Sequence, residues 1–134
     1  MLANREEFLP EHIDPKKLNH VALKSFFNIC EKWGIKSYKD QMTLLGLTSK
    51  STFYEWKKNL QGNLSKDTLE RISYILGIYK ALQILLPYSA NEWIKTKNPI
   101  FDDRTPLEIM LKGRVADLYI IKRYLDAERG SLYD

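Results

Sequence analysis

The stretch EWIKTKNPIFDDRTPLEIMLKG, residues 92–113, gives several local structural instructions in close succession. Ser89 stands three residues ahead of Glu92, the spacing of a Ser-x-x-Glu capping box, and predicts a short helix bearing Trp93 and Ile94. Asn98-Pro99 stops that helix, because a residue that precedes proline is pushed out of the α region. Thr105-Pro106-Leu107-Glu108 restarts helix through a second capping box. Its proline takes the first helical position, where a missing N–H costs nothing. Leu107, Met110 and Leu111 give the new helix an apolar face, and Gly113 ends it. Two capped helices around an elbow that holds Trp93 and Phe101 predict a small, specific helical unit.

The rest of the chain reads as helix on either side of this unit. Asp14-Pro15 is a good cap and first-turn pair, and Leu18, Ala22, Phe26, Ile29 and Trp33 recur at three- and four-residue spacing. Gly34 closes that helix, and a short one follows over residues 38–45, ending at Gly46. Ser65 and Asp67 open a long helix predicted to reach Leu86 before Pro87, with Leu69, Ile72, Leu76 and Tyr79 as its buried stripe. Gly77, inside it, predicts a close helix crossing or a bend, and the boundary between residues 1–77 and 78–134 is placed there. Residues 78–86 are apolar on more than one side, which calls for burial in the core or in a subunit interface. The last helix, about 114–129, buries Val115, Leu118, Ile121 and Leu125 and turns Arg123, Asp126 and Arg129 outward. The expected fold is all-α.

LGLTSKSTFYEWKKNL, residues 45–60, is the second constellation: a short helix, a glycine-containing turn and a second helix starting at Thr48 or Ser49. That is the outline of a helix-turn-helix. Phe53, Trp56 and Leu60 share the expected inward face, leaving Lys50, Tyr54, Lys57 and Lys58 on the other. Such a face suits a major groove: Ser49, Lys50, Ser51 and Thr52 at its N-terminal end reach base edges, and the later lysines meet phosphates. Gln41, near the start of the preceding helix, is the expected backbone contact.

Composition bounds the function. The 134 residues are 44% hydrophobic, enough for one core, and carry net charge +4 with the basic excess leaning weakly to the N-terminal half. Absence of a long apolar run predicts no transmembrane helix, and residues 1–12 lack the apolar core of a secretory signal. One cysteine, Cys30, on an apolar helix face, points to buried packing and a reducing, cytoplasmic setting. His12 and His20 lack metal-ligand spacing, and no nucleophile motif or phosphate-cradling loop occurs. Glu6-Glu7 and Asp102-Asp103 are adjacent pairs that read as solvated charge. A non-enzymatic protein without cofactor or metal is expected.

Trp93-Ile94, Asn98-Pro99, Phe101, Thr105-Pro106-Leu107-Glu108, Met110-Leu111 and Gly113 together resemble the C-terminal toxin-binding domain of the Xre/MbcA/ParS antitoxins. The likeness extends through LGIYKALQILLP (76–87) and DLYIIKRYLDAERG (117–130), and the latter resembles the branch whose toxin partners carry a RES domain. The helix-turn-helix segment is similar to the Xre-type module of the same family, with Phe53 one residue later than the common spacing. Family members often have glycine in the elbow where this chain has Asp102-Asp103. The resemblance implies an N-terminal helix-turn-helix bundle joined by a long helix to a small helical toxin-binding domain. It also implies a homodimer on operator DNA and a NAD⁺-degrading RES toxin as partner. The implied toxin-binding residues are Trp93, Asn98, Pro99, Phe101, Pro106, Leu107, Met110, Tyr124, Glu128, Arg129, Ser131, Leu132, Tyr133 and Asp134. Tyr124, Arg129 and the tail 131–134 are the implied blocking elements, with Glu128 and Asp134 complementing a basic cleft. The alternative is a stand-alone regulator whose C-terminal half dimerises or senses a ligand.

Overall fold

Seven α-helices and one 3-10 turn follow one another in the computed structural model, which describes residues 14–131. α1 (Pro15–Trp33) begins where Asp14 Oδ1 accepts the Lys16 N–H at 3.1 Å, and it buries Ala22, Leu23, Phe26, Ile29, Cys30 and Trp33. α2 (Tyr38–Leu45) and α3 (Lys50–Asn59) are capped by Ser37 and Ser49. The tight turn between them needs Gly46, whose φ of 72° lies in the left-handed region that side chains disfavour. α4 (Lys66–Leu85) is the spine, with Ser65 at its cap. α5 (Ala90–Trp93), the 3-10 turn Pro99–Phe101 and α6 (Pro106–Met110) form the elbow, and α7 (Val115–Ser131) completes the fold. No strand occurs among the described residues, and an isolated bridge pairs Asn98 with Arg104. The chain is all-α, with its helix-turn-helix followed by a helical C-terminal part.

α4 packs most extensively on α7, and also against α1, α2 and α5. This two-sided burial corrects the expected stripe of α4. Leu69, Leu76 and Tyr79 are only half-buried, whereas Thr68, Arg71, Ile72, Ile75, Ile78, Ala81 and Leu82 are covered. A single-stripe reading assumes one partner, and α4 has neighbours on both flanks. Each fully covered isoleucine or leucine contributes about 1.5–3 kcal/mol, so the α4–α7 seam holds the two halves as one body. Gly77 lies within the continuous helix. A Cβ there would meet Lys122 Cε at 2.9 Å, so glycine lets the stem of Lys122 lie across α4. Residue 77 sits mid-helix, where the neighbour a side chain would meet is the flexible chain of Lys122.

Three local expectations differ. Ser89 makes no side-chain cap hydrogen bond: its φ and ψ of −134° and 16° turn the hydroxyl away from the four-residue α5. Leu60 is not on the inward face of α3 but is the left-handed cap beyond it, at φ 50°. Leu18, Val115, Leu107 and Leu111 are half-buried rather than core, and the apolar face of α6 is Pro106, Ile109 and Met110. The second capping box forms in full. Glu108 N–H donates to Thr105 Oγ1 and Thr105 N–H to Glu108 Oε1, both at 3.0 Å.

Candidate functional site

Two surfaces have the composition of contact sites. The first is α3. Phe53 and Trp56 anchor it inward, with the Phe53 ring edge-on to Phe27 of α1 at 5.9 Å. Lys50, Ser51, Tyr54, Lys57 and Lys58 are exposed, and Thr52 is half-buried. The Ser49 hydroxyl accepts the Thr52 N–H at 3.2 Å and lies 3.1 Å from Ser51 Oγ, so it fixes the helix N-terminus as well as facing solvent. Lys50 Nζ sits 4.6 Å above the Tyr38 ring, which aims its charge across the N-termini of α2 and α3. Lys57 leans the other way, over Phe27 and Phe53. Gln41 departs from expectation. It is 5% exposed and its amide donates to the Ile35 carbonyl at 2.7 Å, so it locks the α1–α2 loop instead of presenting a donor outward. His20 Nδ1 is likewise engaged locally, donating to the Leu60 carbonyl at 2.9 Å.

The second surface is the elbow. Trp93 stacks on Tyr124 of α7 with planes 7° apart, and Phe101 meets Tyr124 edge-on at 5.3 Å. Trp93 and Phe101 close the triangle at 6.4 Å. Asn98 holds the backbone: its side chain accepts the Ile100 N–H, its carbonyl the Asp103 N–H, and its own N–H reaches the Arg104 carbonyl. Asp102 and Asp103 take φ values of 56° and 59°, two left-handed residues in succession. Aspartate tolerates this region better than most residues, which is how the elbow turns without a glycine. The Leu107 N–H donates to the Ile94 carbonyl at 3.0 Å, tying α6 back to α5.

Charged groups around the elbow are held by specific bonds. Donation from the Thr105 N–H and hydroxyl keeps the Glu108 carboxyl below the usual range. At the start of α7, buried Asp117 receives the Arg114 N–H, Nε and Nη2 at 3.1, 3.0 and 2.8 Å. The Arg114 guanidinium bonds outweigh desolvation, hold the Asp117 carboxyl low and raise Arg114. Burial pushes the Cys30 thiol up to about 12, so it is an inert packing group at neutral pH.

Residues 15–77 match the antitoxin Xre-like helix-turn-helix domain, and residues 81–130 match the antitoxin Xre/MbcA/ParS C-terminal toxin-binding domain. The chain belongs to the Xre/MbcA/ParS antitoxins. The antitoxin is also 47% identical over 112 residues to the uncharacterized protein y4oB of Sinorhizobium fredii strain NGR234, covering 82% of this chain and 85% of that one. No solved structure matches it. A toxin protein is therefore the antitoxin's partner, through the C-terminal domain. No described helix of the antitoxin is long and apolar enough to cross a membrane.

The structure sorts the residues expected to touch the toxin. Phe101, Pro106 and Met110 are buried, and Trp93, Asn98 and Leu107 are half-buried, so these six shape the elbow more than they face outward. Pro99 and Glu128 are exposed, while Tyr124 and Arg129 are half-buried. Ser131 is the last residue of α7, and Leu132, Tyr133 and Asp134 lie outside the described residues, as do His12 and Glu6-Glu7. Sequence reasoning missed Ile100, Tyr119 and Ile120, which are 59%, 45% and 46% exposed beside Tyr124. The signal was available in YII at residues 119–121, where only Ile121 fits the inward stripe of α7.

Proposed function

We propose that this antitoxin neutralises a RES-domain, NAD⁺-degrading toxin and represses its own operon as a homodimer on operator DNA. The observation that carries the reading is the presence, in one chain, of an exposed lysine-bearing α3 and a matched toxin-binding domain. The resemblance of residues 117–130 to the RES-partnered branch supports the choice of toxin. On this reading Ser49, Lys50, Ser51, Thr52 and Tyr54 face base edges, Lys57 and Lys58 face phosphates, and residues 78–134 are the toxin-facing part. Tyr124, Arg129 and the tail 131–134 cover the toxin's NAD⁺ cleft.

The test has two arms. The neighbouring gene is expressed with and without the full-length chain while growth and cellular NAD⁺ are followed. Loss of NAD⁺ reversed by the full-length chain is expected, and a harmless neighbour overturns the toxin assignment. Rescue that survives removal of residues 129–134 retains the antitoxin and removes the blocking tail. In the second arm, a gel shift on the upstream DNA is run between 50 and 200 mM salt. Z phosphate contacts weaken binding with a slope of about −0.9Z on log–log axes, so Lys58→Ala is expected to flatten the slope by about one unit. A shift insensitive to salt and to Lys50→Ala and Lys58→Ala overturns the DNA assignment.

A further inference from the structure

Ile100 at the tip of the 3-10 turn faces α7 across a shallow apolar groove. Phe101 and Tyr124 form its floor, Ile100, Tyr119 and Ile120 its walls, and Arg123 stands at its edge. The α7 wall and the floor are each braced by further rings. The Tyr119 ring leans on Tyr74 of α4 at 5.7 Å, and Phe101 is wedged between Trp93 and Tyr124. Three of the seven large hydrophobic side chains exposed in the described chain line this one groove. Apolar side chains gathered in this way mark a contact surface, whereas single exposed ones do not. The carboxylates of Asp102 and Asp103 are exposed where the backbone leaves the groove.

We infer that this groove between the 3-10 turn and α7 is the docking surface for the toxin. It takes an apolar convex cluster of the toxin against Ile100, Tyr119 and Ile120, with a cationic side chain at Asp102-Asp103. The inference rests on the antitoxin reading and does not depend on the toxin being of the RES type. Two observations favour the toxin over a second copy of this chain. The groove lies wholly within the matched toxin-binding segment. Its floor is Phe101 and Tyr124, two rings of the aromatic triangle that holds the elbow. The exposed walls are therefore the energetic centre of the interface, and the buried elbow residues are the scaffold that presents them.

The test measures affinity of the full-length chain for the protein encoded by the neighbouring gene, with melting curves as a folding control. Ile120→Glu and Ile120→Ser alter an outward side chain, and each is expected to weaken binding by roughly 30-fold or more, the scale of a central interface residue. Asp102→Asn with Asp103→Asn keeps a residue type that tolerates left-handed backbone and removes only charge. It is expected to slow association and to lose its effect at high salt. Val21→Glu, on an equally exposed side chain of α1, is the control and leaves binding unchanged. Equal binding by wild type, Ile120→Glu and Val21→Glu overturns the groove while leaving the antitoxin reading intact. No binding by the wild-type chain overturns that reading, and the groove with it. Loss of self-association in the Ile120 variants with full toxin binding assigns the groove to a second copy and overturns the inference.

Discussion

Replacing Phe101 with alanine removes the ring that ties the elbow to α7. Phe101 is 8% exposed and contacts both Trp93 and Tyr124 edge-on. Buried phenylalanine-to-alanine changes cost about 3–5 kcal/mol. The low end, about 3 kcal/mol, applies here because Trp93 and Tyr124 are only half-buried and can close partly over the gap. With unfolding entropy near 2.1 cal/mol/K per residue, that is a fall of about 10 °C in Tm. Calorimetry or circular dichroism on the purified chain reads the fall, and toxin binding should drop with it. The proposed operator binding should persist at 25 °C, because α1 to α3 do not contact Phe101 through any of these rings. A Tm within 2 °C of wild type would refute the reasoning, showing that the aromatic triangle does not hold the elbow in place.

Other perturbations have expected outcomes of different sign. A Cβ at Gly62 would sit 2.2 Å from Trp56 Nε1, so Gly62→Ala forces the indole from its 7%-exposed seat. A loss of about 2–3 kcal/mol, with red-shifted tryptophan emission, is expected. Gly77→Ala meets only the flexible end of Lys122 and removes a helix-interior glycine. It should stabilise by up to about 0.5–1 kcal/mol in denaturant titration, even if the Lys122–Asp126 ion pair is disturbed. Asp117 has a folded pKa below its unfolded one, so its stabilisation is full above the unfolded value near 3.8 and disappears as pH falls through the folded value. Asp117→Asn should therefore lower stability at neutral pH and flatten the loss on acidification below about pH 4, as followed by Tm against pH.

Much of this architecture was written in local chemistry. Asp14-Pro15, Ser49 and Ser65 start helices where they stand, Gly34 and Gly46 end them, and the Thr105–Glu108 box closes on both sides. These features depend on a few neighbouring residues, so spacing reveals them. Features that depend on distant partners were less legible. The stripe of α4 shifted because two flanks are covered, and Asp117 is buried because Arg114 reaches back over it, a fact a charge count does not convey. Gln41 turned inward to the Ile35 carbonyl because the loop before α2 needs a donor. The exposed groove had no signature of its own. Periodicity explains the residues that face the core and is silent about apolar residues facing away, which is where Ile100, Tyr119 and Ile120 lie.

The spine helix has a consequence for the lifetime of the protein. Near its start, Thr68 donates to the Leu45 carbonyl at 2.9 Å and Arg71 to the Thr43 carbonyl at 3.2 Å, which fixes α2. Farther along, Ile75, Ile78 and Leu82 are buried with Leu118, Ile121 and Leu125 of α7 in one core. Lys95 of the elbow adds a bond to the Gly34 carbonyl at the end of α1. No loose linker separates the helix-turn-helix from the toxin-binding domain. A protease that opens α4 strips both parts of their shared core, so neutralisation and the proposed repression decay on the same clock. Under the proposed autorepression, a cell that degrades this chain releases the toxin and derepresses its gene in a single event.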